Sequence, residues 1–228
     1  HRAGDIAAAA PAARAGCDIA AVRDTANATV GARELLAFVP WYFEGLLTAA
    51  DDDAARGAEV DRLAMWDQLF DADGFAAPWG LTTAERRHAC FNYSWEHGDT
   101  WNQNSWPYET ARVLEGAANV LRRGGGGGGG GGGGHVTADR YWELLRQYAR
   151  QHTRTSAVND TASPPGSGHV FENVHPTLGY WNNRERMYWS RAGNRDMGDD
   201  YNHSTFVDLV LSGLLGLRAQ RAEGALVV

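Results

Sequence analysis

The chain has 228 residues, of which 43% are hydrophobic and 21% are charged, and its formal net charge is -7. This composition favours a folded domain with an apolar core. The acidic balance argues against a nucleic-acid-binding protein, which would carry a basic patch. The longest apolar stretch, residues 207–217, is too short for a bilayer span and contains Asp208, so no membrane segment is predicted.

Nine tryptophans and an aromatic fraction of 11% leave two interpretations open. In the first, the rings are packing residues of a large core. In the second, they form a sugar-binding site, because flat apolar sugar faces stack on aromatic rings while polar groups bind the hydroxyls. Composition alone favours the first interpretation.

The N-terminal third predicts one short apolar element and one helix. Residues 1–31 are Ala-rich and weakly patterned. The apolar stretch 32–47 is broken by Pro40, and residues 51–70 carry an approximate helical stripe. The segment DADGF at 71–75 then predicts a stop and a turn.

Two further helices flank a run of glycines at 124–134. The first helix is predicted over 104–121, with Ser105 as its cap and a buried stripe of Ala111, Leu114, Ala117, Ala118 and Leu121. The second is predicted over about 137–152, with one face formed by Tyr141, Leu144, Leu145 and Tyr148. No Gly-Lys-Ser/Thr follows the glycines, so they predict a flexible insert and not a phosphate-binding loop.

A last helix is predicted within 201–218. Its apolar face consists of Phe206, Leu209, Val210, Gly213, Leu214 and Leu217. Few segments along the chain alternate in the manner of strands. The sequence therefore predicts an all-α fold.

Three loop segments combine carboxylates, amides, histidines and aromatic rings, namely 95–110, 169–181 and 197–204. Glycoside hydrolysis uses this set of groups, because one carboxyl protonates the leaving oxygen, another activates water or attacks, and the remaining groups position the ring. In HVFENVHPTLGYW (169–181), Pro176 and Gly179 indicate a loop around Glu172. By itself, a loop glutamate is more often solvated or bonded to a backbone amide than catalytic.

The spacing of His169, Glu172 and His175 does not predict a metal site. The zinc motif H-E-x-x-H needs both histidines on one face of a helix. Pro176 disfavours helical structure at His175, which directly precedes it. We predict neither a metal nor a cofactor, and His175 and His203 keep a buried or capping role as the alternative to a functional one.

Five segments in order resemble the mannosylglycerate-hydrolase-like glycoside hydrolases, which are relatives of glycoside hydrolase family 63. They are AFVPWYF (37–43), DGFAAPWGLTTAERR (73–87), WNQNSWPYET (101–110), FENVHPTLG (171–179) and DYNHSTFVDLVLSGLLGLR (200–218). The resemblance implies an (α/α)6 toroid, a carbohydrate substrate and an inverting glycosidase for a small glycoside or oligosaccharide.

The resemblance also implies roles for individual residues. Glu172 matches the family's general base. Substrate-binding positions are implied for Trp41, Trp101, Asn102, Trp106, His175, Asp200, Tyr201 and His203. This sequence departs from the family at Gln103 and Asn104, which replace a Gly-Pro pair and put the shape of that loop in question.

The length indicates that only about half of such a toroid is present, since twelve helices need roughly 300 residues or more. We expect residues 32–218 to be its C-terminal part, interrupted by the glycine insert, and 219–228 to begin a truncated tail. The family's general acid, an Asp, has no match in residues 1–31. We therefore expect the acid to lie upstream in the remaining N-terminal half of the barrel, so that this chain alone would be an inactive fragment.

Two alternatives remain open at this point. A trehalase-like enzyme would use the same fold, although Asn102 stands where its motif has Asp. An inactive sugar-binding relative is the other, because the acid is unmatched and the loop at 103–104 is altered. The sequence predicts no particular compartment.

Overall fold

The computed structural model describes residues 33–43, 63–91, 103–123, 134–153, 171–182, 205–219 and 226–227. Helices dominate this part of the chain. The strands found there are two residues long, and β1 (Arg218–Ala219) pairs antiparallel with β2 (Leu226–Val227). The described residues therefore agree with the predicted all-α class.

The first element corrects the prediction for Pro40. A 3₁₀ turn at Leu35–Phe38 leads directly into α1 (Val39–Tyr42), and Pro40 lies in the first turn of α1. A proline there sacrifices no helical hydrogen bond, and its fixed φ already suits the helix. Pro40 thus begins a helix, and the prediction that it breaks this stretch was wrong.

The segment that follows also differs in detail from its prediction. Ala64–Leu69 forms a 3₁₀ helix, while residues 51–62 of the predicted helix lie outside the described part. The turn predicted at 71–75 is present. Asp71 closes it by accepting hydrogen bonds from the backbone of Asp73 through Oδ1 (2.9 Å) and of Gly74 through its carbonyl (2.9 Å).

Helices α2 (Pro107–Arg122) and α3 (Ala138–Gln151) confirm both helices predicted beside the glycine run. The side chain of Thr137 caps α3 by accepting a hydrogen bond from the backbone N–H of Arg140 at 3.2 Å. The cap predicted for α2 was wrong. The N-cap residue is Trp106, which makes no side-chain hydrogen bond to the helix. Ser105 lies one residue earlier and bonds Val174 and Gln151 instead.

Helix α2 is buried on most of its circumference and lies at the centre of the described core. Of its predicted stripe, four residues are buried and Leu121 is half-buried at the edge. Val113, Gly116 and Val120 are buried as well. Glu109, Arg112 and Glu115 lie on the narrower, partly exposed face, so α2 is an amphipathic helix with a wide buried side.

Aromatic rings fill the space between α1 and the 3₁₀ helix. Phe38 and Trp66 pack edge to face with centroids 4.8 Å apart, and Trp41 and Trp66 do so at 5.7 Å. Phe75 joins Phe38 at 6.0 Å. These tilted arrangements suit the ring quadrupole, so several of the many aromatic residues are core residues.

The last helix departs from its predicted regular pattern. It starts as α4 (Thr205–Asp208) and continues as a π-helix, Leu209–Leu214, in which Leu215 donates to the carbonyl of Val210 at 3.0 Å. This i→i+5 bonding does not keep the 3.6-residue period on which the prediction depended. Accordingly Leu209 is buried but Leu214 is 44% exposed.

A tyrosine from α3 holds this wide turn against the core. The hydroxyl of Tyr141 donates to the carbonyl of Leu209 at 2.9 Å, and burial, with the charge of Glu115, raises the pKa of Tyr141. A Cβ on Gly213 would lie 2.0 Å from the tyrosine oxygen. The close approach therefore requires glycine at 213.

Asn119 of α2 provides a test of how α1 is fixed. Its Nδ2 donates to the carbonyls of Trp41 (2.8 Å) and Tyr42 (3.1 Å), which end α1. Asn119→Leu keeps the branched shape of the side chain but removes both amide N–H donors. We expect it to lower the free energy of unfolding, measured in urea, by about 1–3 kcal/mol.

Arg122→Met is the matched control, because Arg122 is exposed and bonds the other side of the amide, Oδ1 of Asn119. It should change stability by no more than about 0.5 kcal/mol. Equal losses in the two variants would show that the α1 carbonyls are not the important partners.

Candidate active site

Backbone hydrogen bonds join five extended segments side by side. We call this array the loop ladder, and its segments are 33–35, 83–85, 103–105, 173–175 and 180–182. The first contacts are Leu35 N–H to Thr83 at 2.9 Å and Thr83 N–H to Asn104 at 3.2 Å. The ladder therefore connects loops that are far apart in sequence.

The central rung of the ladder joins Ser105 and Val174. Each donates its N–H to the other's carbonyl, at 3.0 Å and 2.9 Å. The Ser105 hydroxyl, in turn, accepts from Nε2 of Gln151 at 2.9 Å. These bonds explain why Ser105 does not cap α2. They also hold the segment that contains Glu172 in space beside the residues that lead into that helix.

Glu172 is partly exposed and lies between two buried neighbours, Phe171 and Asn173. Phe171 packs edge to face on Trp181 with centroids 5.9 Å apart, and both rings form a small apolar cluster with Val174. The backbone on each side of the carboxylate is therefore anchored. A carboxylate that reaches solvent from a fixed backbone can act on a bound molecule with little reorganisation.

The loop after Glu172 is shaped by His175. Its Nδ1 accepts hydrogen bonds from the N–H groups of Thr177 (3.3 Å) and Leu178 (3.2 Å), and its ring lies 5.1 Å from that of Tyr180. Burial lowers the pKa of His175, which keeps Nδ1 unprotonated at neutral pH and able to accept. His175 thus has a structural role in this loop.

Three buried asparagines connect the loop ladder through their side chains. Asn104 donates from Nδ2 to Oδ1 of Asn173 at 2.9 Å, and its own Oδ1 accepts from Nδ2 of Asn182 at 3.3 Å. All three are at most 4% exposed. Because buried amides are costly unless bonded, this chain of amides specifies how the segments fit together.

A cleft of about 360 Å³ opens between α1, α2 and the last helix. We call it the aromatic cleft. It is lined by Tyr42, Phe43, Tyr108, Ala111, Arg112, Glu115, Thr205, Asp208, Leu209 and Ser212. A second cavity, of about 440 Å³, lies beside the 3₁₀ turn at 35–38 and has a mostly apolar lining.

Residues 12–204 match the model of a mannosylglycerate hydrolase MGH1-like glycoside hydrolase domain. The chain belongs to the MGH1-like glycoside hydrolase family. A solved structure described as a sialidase is 28% identical and superposes with a TM-score of 0.58. The match covers 85% of this chain and 14% of the sialidase chain, so this chain spans a small part of it. No curated protein matches the chain significantly.

The family membership confirms the resemblance inferred from the five segments. Of the predicted site residues, Glu172 and His175 lie together in the MGH1-like domain on the loop beside the central rung. Trp106, at the start of α2, is 2% exposed, and Trp41 is 6% exposed within the aromatic core. Trp101, Asn102, Asp200, Tyr201 and His203 lie outside the described residues.

The sequence prediction missed the aromatic cleft. Tyr42 and Phe43 follow Trp41 in the first motif, and Tyr108 follows Trp106 in the third. The prediction chose the tryptophans, but in the structure the neighbouring Tyr and Phe side chains are the ones that line a cleft. The motifs contained the signal, since a helical turn buries one face and exposes the adjacent residue.

Across the described ranges, no cluster of three or more His, Cys, Asp or Glu side chains could hold a metal ion. The same residues include no helix that is long and apolar enough to cross a membrane.

Gly179 provides the first test of this site. It has a φ of 75°, and a Cβ there would lie 2.4 Å from the ring of Trp79. Gly216 has a similar φ of 69° with no atom within 4 Å of its Cβ position, so Gly216→Ala isolates the cost of the left-handed backbone. That cost is about 1–2 kcal/mol.

We expect Gly179→Ala to lower the free energy of unfolding by about 1–3 kcal/mol more than Gly216→Ala does, because the clash with Trp79 adds to the backbone cost. Thermal or urea denaturation of the two variants measures the difference. Equal effects would mean that the ring moves aside freely, and the packing of this loop would then be looser than described.

The asparagine chain provides a second test. Asn104→Ala leaves Oδ1 of Asn173 and Nδ2 of Asn182 without these partners, and Asn182→Ala removes one bond of the two. We expect Asn104→Ala to cost about 2–4 kcal/mol, more than Asn182→Ala, from the penalty for unsatisfied buried groups. The double variant should cost less than the sum. Strict additivity in urea denaturation would contradict a connected chain.

Proposed function

We propose that this chain is the C-terminal part of an (α/α)6 glycosidase domain, and that the enzyme hydrolyses a small glycoside or oligosaccharide with inversion. Glu172 is the proposed general base. The observation that carries this proposal is the position of Glu172, which is partly exposed two residues from the Ser105–Val174 rung. Family membership supplies the reaction class.

In the proposed step, the Glu172 carboxylate accepts a proton from a water molecule. The water oxygen attacks the anomeric carbon as the bond from that carbon to the leaving oxygen breaks. A carboxylic acid on the opposite side gives its proton to the leaving oxygen, and the anomeric configuration inverts. The anchored backbone around Glu172 supports this role, because a base must be held in place relative to the water.

The acid partner is proposed to lie outside this chain. The aspartates of the N-terminal segment, Asp5, Asp18 and Asp24, lack the aromatic neighbours that a sugar-site carboxylate needs. An inverting pair is separated by about 6.5–9.5 Å, which leaves room for the water. We expect the acid to be an Asp upstream of this chain, at that distance from the carboxyl of Glu172.

A specific observation favours one alternative, a relative that binds sugar without hydrolysing it. Gln103 and Asn104 stand where the family has Gly-Pro, and Asn104 is built into the buried amide chain. The loop before α2 is thus held by side-chain hydrogen bonds that a Gly-Pro pair has no groups to form. Turnover separates this alternative from the main proposal.

The test of the proposed base is Glu172→Gln in the full-length protein, with Glu143→Gln on an exposed position of α3 as the matched control. Loss of a general base should lower kcat by about 10²–10⁴-fold, while stability changes by less than about 0.5 kcal/mol. Glu143→Gln should leave both unchanged. A panel of α-glucosides, mannosylglycerate and trehalose provides the substrates and separates the trehalase-like alternative.

Two outcomes would count against the proposal. Full activity of Glu172→Gln would remove Glu172 as the base. Proton NMR of fresh product reports its anomeric configuration, and retention of configuration would rule out the inverting mechanism. Binding of a panel sugar by the wild-type protein without any turnover would favour the inactive relative.

A further inference from the structure

The aromatic cleft brings together three segments of the family pattern that are far apart in sequence. Tyr42 and Phe43 come from the first motif, Tyr108 from the third, and Thr205 and Asp208 from the fifth. Its volume, about 360 Å³, is in the range of small-molecule sites. None of its lining residues belongs to the loop that contains Glu172.

One wall of the cleft offers aromatic surface. Tyr42 is 38% exposed and Phe43 is 54% exposed, and their rings meet edge to face with centroids 5.1 Å apart. Flat aromatic surface beside polar groups is suited to the apolar face of a sugar ring.

The other wall offers charged and hydroxyl groups. The Arg112 guanidinium lies 3.9 Å over the ring of Tyr108 and bonds Glu109 at 3.4 Å, which fixes its position. The Ser212 hydroxyl donates to the carbonyl of Asp208 at 2.6 Å, and its oxygen lies 3.5 Å from Oε2 of Glu115. The cleft therefore presents both donors and acceptors from held side chains.

The charges restrict the class of ligand. Glu115 and Asp208 contribute two carboxylates, against the one guanidinium of Arg112, which already faces Glu109. A phosphate or carboxylate ligand would meet net negative charge, and a wholly apolar ligand would remove these charged groups from water without bonding them. A neutral polyhydroxyl ring satisfies both walls, because its hydroxyls donate to carboxylates and its face covers aromatic carbon.

We propose that the aromatic cleft is a binding subsite for a neutral sugar unit and that it selects against acidic sugars. This inference rests on the proposed glycosidase function. Tyr108 follows Ser105 by three residues, and Ser105 bonds Val174, two residues after Glu172. The Cα atoms of Tyr108 and Glu172 are thus at most about 23 Å apart by chain geometry. An oligosaccharide can therefore span from the cleft towards Glu172.

The test uses two probes with the same ring, methyl α-D-glucopyranoside and methyl α-D-glucopyranosiduronic acid, which differ in the carboxylate. Binding to the full-length protein carrying Glu172→Gln is measured by calorimetry or by ligand-observed NMR, so that turnover does not interfere. We expect saturable binding of the neutral probe and at least about tenfold weaker binding of the acid, the factor that one unfavourable charge contact of moderate strength produces.

The variant Tyr42→Ala/Phe43→Ala removes the aromatic wall at exposed positions, so the fold should persist. We expect it to weaken binding of the neutral probe by about tenfold or more. Trp142→Ala is the matched control, because Trp142 is 46% exposed on α3 and does not line the cleft. It should leave binding unchanged. Asp208→Asn should reduce the preference for the neutral probe over the acid.

Failure of this inference and failure of the proposed function give different results. Activity retained by Glu172→Gln would reject the proposed base, whereas the subsite is judged only by the difference in binding between the two probes and between the two variants. The subsite is rejected if neither probe binds, if the acid binds as tightly as the neutral sugar, or if the Tyr42→Ala/Phe43→Ala variant binds like the control. The subsite is supported if the Tyr42→Ala/Phe43→Ala variant loses binding of the neutral probe while the Trp142→Ala control keeps it.

Discussion

The reciprocal pair of backbone hydrogen bonds between Ser105 and Val174 is the constraint on which the described site depends. It closes a contact between segments separated by 69 residues, the separation also spanned by the bond from Asn104 to Asn173. On one side the chain enters α2, which is central to the core. On the other side it continues to the loop of Glu172 and His175. Because the rung joins them, the backbone near Glu172 is fixed relative to α2, whose residues are mostly buried.

The same constraint explains the choice of side chains around it. Ser105 lies in an extended conformation and bonds Val174 and Gln151, so it is not available as a helix cap. Asn104 replaces the rigidity of Gly-Pro with two side-chain hydrogen bonds, which fix the loop only as long as all partners are present. A buried amide chain of this kind favours one arrangement, because a slip would break both of these hydrogen bonds.

How much the sequence predicted depends on the range of the interaction involved. Helices α2 and α3 were predicted well because their stripes are local patterns with a 3.6-residue period. The conformation of Ser105 was not predicted, because it is decided by hydrogen bonds to Val174, which is distant in sequence. The π-helix after Asp208 was not predicted either, and it goes with the close packing of Tyr141 against Gly213. The loop character of Glu172 followed from Pro176 and Gly179 nearby.

The site was harder to predict than the helices for a related reason. A motif identifies a segment, but its individual side chains divide between core and surface according to packing that the sequence does not display. Trp41 and Tyr42 are adjacent, yet Trp41 is 6% exposed and Tyr42 is 38% exposed. The ladder likewise depends on backbone bonds between distant loops, which have no signature in residue type. Motif order therefore indicates the family, and only the structure distinguishes lining residues from packing residues.

The start of α3, just after the glycine run of the sequence, is held by side-chain contacts to the 3₁₀ helix. The Nδ1 atom of His135 lies 2.8 Å from Oδ2 of Asp67, and Arg140 bonds the other oxygen and the His135 carbonyl. Partial desolvation would raise the pKa of Asp67, but the bonds from Arg140 and His135 outweigh it and lower that pKa. The carboxylate thus stays charged near neutral pH and ties the entrance of α3 to the 3₁₀ helix. Since loop closure costs only about 0.6 kcal/mol for each doubling of length, contacts of this kind are compatible with a connection of almost any length between α2 and α3.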